Sequence, residues 1–119
     1  MYKKLINTEE KKSYIKKTFQ DTIPNQIKLR DQLSKYISFK KIFQEKYSDG
    51  INNFDLTEIN KETKIIDKII LEYNFFRGAF QLHQTVVNID SYTKALNILL
   101  EYLDDFFVYF KDFENNSKK

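Results

Sequence analysis

Cysteine is absent from this 119-residue chain, and histidine occurs once, at His83. The first absence excludes disulfides, thiolate metal sites and a cysteine nucleophile; the second leaves no imidazole pair for a metal or a proton relay. Glycine occurs twice and proline once. A many-stranded sheet needs turn residues at its reversals, so a chain this poor in them reads as helical. Long apolar runs are also missing. Residues 1–20 carry lysines throughout, so neither a signal peptide nor a membrane span is expected, and the cytoplasm is the expected location. There is no glycine-rich phosphate loop. Asp104 and Asp105 are adjacent, so they diverge by about 100° around a helix and do not converge on one metal. No catalytic set, metal site or cofactor is expected, and the chain reads as a binding module rather than an enzyme.

What is present is helical periodicity. At 14.4 kDa the chain is of single-domain size, and the pattern predicts an all-α fold, a compact bundle of four to five helices over residues 1–119 with a frayed tail at 114–119. Helix one is expected from Thr8, with Glu9 and Glu10 at its positive end, to about Gln20; Tyr14, Ile15 and Phe19 form its apolar side. Helix two is expected to open at Asp21 or Thr22, with Pro24 in its first turn where a missing N–H costs nothing, and to end near Tyr47. Its stripe is Ile23, Ile27 or Leu29, Leu33, Tyr36, Ile37 and Phe43. A loop over 51–57 leads to helix three, from about Glu58 to Gln84, with Ile59, Ile66, Ile70, Tyr73, Phe76 and Phe80 at three- and four-residue spacing. The β-branched Val86, Val87 and Ile89 are the least helical part of the chain. Helix four is expected to be capped at Asp90 or Ser91 and to bury Tyr92, Ala95 or Leu96, Leu99, Leu103, Phe106, Phe110 and Phe113.

Charge is unevenly placed. Residues 1–47 hold twelve Lys or Arg against five Asp or Glu, 12 − 5 = +7, whereas residues 48–119 hold eight against twelve, 8 − 12 = −4. A basic segment attracts phosphate by counterion release, and an acidic half suits a protein partner. On helix two, Lys28, Arg30, Lys35 and Lys41 avoid the apolar stripe. Lys28 and Lys35 are seven residues apart and stand on nearly one line about 10 Å long, enough to follow one or two phosphates. The plainer alternative is an ordinary solvated face.

Arg77 lies inside or beside the apolar stripe of helix three, where a guanidinium needs a carboxylate, an aromatic face or a phosphate. Pairing with Asp104 or Asp105 is the structural alternative to a phosphate. Gly78 costs about 1 kcal/mol in a helix interior relative to alanine, which suggests either a tight helix crossing or close approach of a ligand. The run from Arg77 to His83 also resembles the arginine–histidine signature of HEPN-type ribonucleases, although glycine stands where those proteins carry a polar residue after the arginine.

Three segments taken together resemble the small subunit of type III-A (Csm) CRISPR effector complexes. Ile23-Pro-Asn-Gln-Ile-Lys28 is similar to the stretch opening that family's first long helix; Tyr73-Asn-Phe-Phe-Arg77 matches its Tyr-x-x-x-Arg element; and Tyr102-Leu-Asp104 with Val108-Tyr109-Phe110-Lys111 is similar to its terminal helix. Departures are Lys28 for an arginine, Phe76 for a small residue, and a shorter interval from Arg77 to Tyr109. The resemblance implies a non-catalytic subunit stacked along a guide-RNA filament. Its implied partners are the backbone and large subunits, further copies of itself, CRISPR RNA and target RNA. The RNA-contacting set it implies is Lys28, Arg30, Lys35, Lys41, Arg77 and Lys111. A helical immunity or anti-defence protein that binds one protein target is the remaining alternative.

Overall fold

The computed structural model describes residues 8–47 and 56–117, with side chains described for 8–43 and 59–109. Every described residue except 83–85 is α-helical. The helices are α1 (Thr8–Tyr47), α2 (Leu56–Leu82) and α3 (Val86–Ser117). The all-α expectation holds, but the number of helices is three rather than four to five. The bundle is also not compact. Its extents are 62 × 25 × 20 Å and its radius of gyration is 18.4 Å, against roughly 13 Å for a compact domain of similar length.

The count falls because the two expected N-terminal helices are one. Pro24 lies inside α1, a helix of 40 residues, and not in the first turn of a new helix. Thr22 is not a cap either: it is buried, and its hydroxyl donates to the Phe19 carbonyl at 2.6 Å while accepting from Gln26 Nε2 at 2.7 Å. The physical reason lies on both sides of the proline. Ile15 and Phe19 before it, and Leu29, Leu33, Tyr36 and Phe39 after it, all pack into one core. A break would redirect one of these sets. Each buried apolar side chain contributes about 1.5–3 kcal/mol, so keeping both sets outweighs an interior-proline cost of about 3 kcal/mol.

The core is organised by α3. Ile89, Tyr92, Leu96, Leu99, Leu103 and Phe106 are all buried and alternate at three- and four-residue spacing, the pattern of a helix-packing seam. This helix lies against both others, whereas no described Cα atom of α1 comes within 8 Å of one in α2. Among the described residues, those two helices meet through long side chains. Phe19 stacks on Phe80 with ring centroids 5.8 Å apart. The Tyr36 hydroxyl reaches Asp67 Oδ1 at 2.9 Å and the Thr63 carbonyl at 3.1 Å, and Lys40 Nζ reaches Asp67 Oδ2 at 2.8 Å. Among expected core positions, Ile23, Ile27 and Ile37 are instead exposed; Leu29 takes the buried place, and Phe39 joins it.

The α2–α3 connection is a mutual cap. Thr85 Oγ1 accepts from the Asn88 N–H at 3.1 Å, and Asn88 Nδ2 donates back to the carbonyls of Ala79 at 3.2 Å and His83 at 2.8 Å. Thr85 is therefore the N-cap of α3, not Asp90 or Ser91, and the β-branched run is its first turn. Asp90 instead accepts from the Tyr14 hydroxyl at 2.6 Å, fastening α1 to α3. No helix among the described residues is long and apolar enough to cross a membrane.

Candidate nucleic-acid interface

The structure divides the four α1 cations of the expected set between two sides of the helix. Lys28 Nζ stands 3.2 Å from Asp104 Oδ2, and the other oxygen of that carboxylate accepts from Gln32. Lys35 Nζ lies 4.5 Å from the centroid of the Phe107 ring. Both lysines therefore fasten the flank of α1 to α3. They do share one line, as their spacing predicts, but that line faces an acidic and aromatic edge of the protein itself.

Arg30 and Lys41 lie elsewhere. Arg30 is about 200° around the helix from Lys28, and Arg30 and Lys41 are exposed without an ion pair among the described residues. Eleven residues separate Arg30 from Lys41, which brings them within about 20° of one line. Lys12, eighteen residues before Arg30, falls on the same line, and Lys16 stands beside it. All are exposed and lack an ion pair among the described residues. The line from Lys12 to Lys41 is about 44 Å long, interleaved with the exposed Ile23, Ile27 and Ile37. Lys12 and Lys16 were missed by sequence reasoning because their register with Arg30 exists only if the helix runs unbroken through Pro24.

Arg77 occupies a third location. It lines a small pocket of about 160 Å³ with Phe19, Gln26, Phe80, Gln81, Gln84 and Tyr92. It makes no ion pair with Asp104 or Asp105; Asp104 is held instead by Lys28 and Gln32. The tyrosine beside it is buried, which, with a hydrogen bond involving Tyr73, pushes the Tyr92 phenol well above its ordinary value, while Arg77 pulls it down. Phe19, Phe80 and Gln84 also line a larger groove of about 720 Å³ between α1 and α2, whose rim carries Lys12 and Lys16. The Arg77 pocket thus shares Phe19, Phe80 and Gln84 with the groove rimmed by Lys12 and Lys16, an adjacency that spacing within either helix alone does not reveal.

His83 is exposed at the end of α2 and lines neither of these pockets. Its backbone, not its ring, does the visible work, donating to Ala79 and accepting from Asn88. Gly78 serves neither a helix crossing nor a close approach within the chain: an added Cβ would meet nothing within 4 Å. Lys111 belongs to α3, but its side chain, with those of Phe110 and Phe113, is outside the described residues. Chemically, the exposed α1 line offers charges spaced along one continuous helix, suited to a polyanion rather than to one small ligand. Comparison with protein-family models, with curated proteins and with solved structures finds no match to this chain.

Proposed function

We propose that this protein is a non-catalytic, RNA-contacting subunit of a cytoplasmic ribonucleoprotein, in the manner of the small subunit of type III-A CRISPR effectors that its segments resemble. The observation that supports RNA contact most directly is the exposed line of Lys12, Arg30 and Lys41 along one unbroken helix, none of them in an ion pair among the described residues. A 40-residue helix carries these charges at fixed spacing, so ordering them costs no backbone entropy on binding. Contacts of this type follow a phosphate backbone without reading sequence. In this reading Lys28 and Lys35 hold α1 to α3, and the contacting set becomes Lys12, Lys16, Arg30 and Lys41, with Arg77 in the adjoining groove. The implied partners are guide and target RNA, the filament-forming and large subunits, and neighbouring copies.

A helical ribonuclease would be favoured by a His83 imidazole in the Arg77 pocket. His83 does not line it, and we do not adopt that reading. The test is recovery of the tagged protein from its native host, with mass spectrometry and sequencing of accompanying RNA. A set of larger subunits carrying repeat-derived guide RNA supports the proposal; a single protein partner, or RNA-free protein, refutes it. Within the recovered complex, reversing Lys12, Arg30 and Lys41 to glutamate should weaken RNA binding. Each neutralised contact should also lower the slope of log affinity against log salt by roughly one unit.

A further inference from the structure

Gly78 lies within α2, where glycine lowers helix stability relative to alanine, yet an added Cβ would meet nothing within 4 Å. Among the described residues nothing requires a side chain to be missing here. On the same line of the helix stand Leu71, Phe75 and Leu82, which are 70, 69 and 79% exposed. These positions face away from Ile66, Tyr73 and Phe80, which α2 buries in the core. Large apolar side chains in a row on an outer helix face, with a glycine among them, mark a surface that a second helix can approach closely.

We propose that this face of α2 is a self-association surface, on which α2 packs antiparallel against α2 of a second copy across a two-fold axis. The positions 71, 75, 78 and 82 are separated by four, three and four residues, so their spacing reads the same in both directions. A two-fold axis midway between Phe75 and Gly78 sets Leu71 against Leu82 of the second copy. It also sets Phe75 against Gly78 of the second copy, so that each ring fills the recess the opposing glycine leaves. Self-complementarity of this kind is what a closed two-fold contact demands.

Charge supports the same pairing. The last turn of α2 contains no basic residue, so its C-terminal partial negative charge has no cation of its own in that turn. The two-fold brings the exposed Lys68 of each copy close to the end of the other copy's α2. Lys68 has no ion pair among the described residues. Glu72 falls opposite the neutral Ala79 and Gln81, so no like charges meet. Leu71, Phe75 and Leu82 expose on the order of 400 Å² per copy, and about twice that in the pair lies below the roughly 1,200–2,000 Å² of stable specific interfaces, in the range of weak, transient ones. The dimer is accordingly weak and concentration-dependent. The pairing of the two α2 helices does not require RNA.

Sedimentation velocity on the full chain, from about 10 µM to about 1 mM, tests it. Wild-type protein should pass from monomer to dimer across this range. Gly78→Lys should stay monomeric with undiminished helicity, because the fold leaves room for its side chain. Gly78→Phe alone should weaken dimerisation at least tenfold by opposing two rings, and adding Phe75→Ala should recover most of the loss by exchanging knob and recess across the axis. Wild-type protein that remains monomeric at the highest concentration overturns the proposal, as does a dimer that survives Gly78→Lys, or a double variant no better than Gly78→Phe.

Discussion

Pro24→Ala separates a continuous α1 from two helices that meet at the proline. Were Pro24 at the first position of a separate helix, its absent N–H would be one of the unpaired donors there, and alanine would be neutral or slightly worse. Inside α1 the proline leaves the Gln20 carbonyl without its helical donor and crowds it with the ring, at an intrinsic cost of about 3 kcal/mol relative to alanine. Gln20 is exposed, so water can reach that carbonyl and recover part of the loss. The net gain expected from alanine is about 1–3 kcal/mol. In a domain of this size about 1 kcal/mol moves Tm by roughly 4 °C, so Tm should rise by roughly 4–12 °C, with a matching increase in the urea midpoint. Thermal and urea unfolding followed by circular dichroism at 222 nm give both values. A Tm unchanged or lowered, with the substituted protein still folded, refutes a helix that is continuous through residue 24.

The remaining predictions concern the ties between helices. Asp67→Ala should cost about 1.5–3 kcal/mol, because it removes a charged acceptor from the buried Tyr36 hydroxyl as well as the partner of Lys40. Lys40→Ala should cost no more than about 1 kcal/mol, since that ion pair is partly exposed; urea midpoints that place the two variants level would contradict this division. Tyr36 and Tyr92 are 1% and 2% exposed, and burial first, then hydrogen bonding, raises both phenols above the ordinary value of 10.0. Above that value the unfolded chain releases protons that the folded chain retains. Their contribution is therefore complete below pH 10 and falls by about 1.4 kcal/mol per pH unit per tyrosine as pH rises further. Tyr36→Phe should flatten the alkaline limb of the stability profile, and an unchanged limb would show that Tyr36 ionises freely.

Much of the buried set was legible in the sequence. Leu29, Tyr36, Ile59, Ile66, Tyr73, Phe80, Tyr92, Leu96, Leu99, Leu103 and Phe106 are all buried, as three- and four-residue spacing requires of a helix that buries one stripe. Ile23, Ile27 and Ile37 misled for a definite reason. They satisfy the same spacing on a different line of α1, and which of two apolar lines faces inward depends on where α3 lies. The candidate interface was legible in type but not in position. An excess of basic charge before residue 48 is visible from composition, yet Lys28 and Lys35 turn toward Asp104 and Phe107, partners more than seventy residues distant in sequence. No local pattern contains that information.

By itself the sequence determined that the chain is helical, that its basic charge sits early and its acidic charge late, and which lines of each helix are apolar. Those properties follow from composition and from the 3.6-residue period, both of which act within a few turns. Tertiary structure decided that Pro24 ends nothing, that α3 lies against both other helices, and which lysines are free. The reason is that local preferences of a few kcal/mol, such as a proline's aversion to helix interiors, yield when apolar side chains on both sides of the break are buried against one distant helix. The same long helix then places Lys12, Arg30 and Lys41 on one line, a register that has no meaning until the chain between them is continuous.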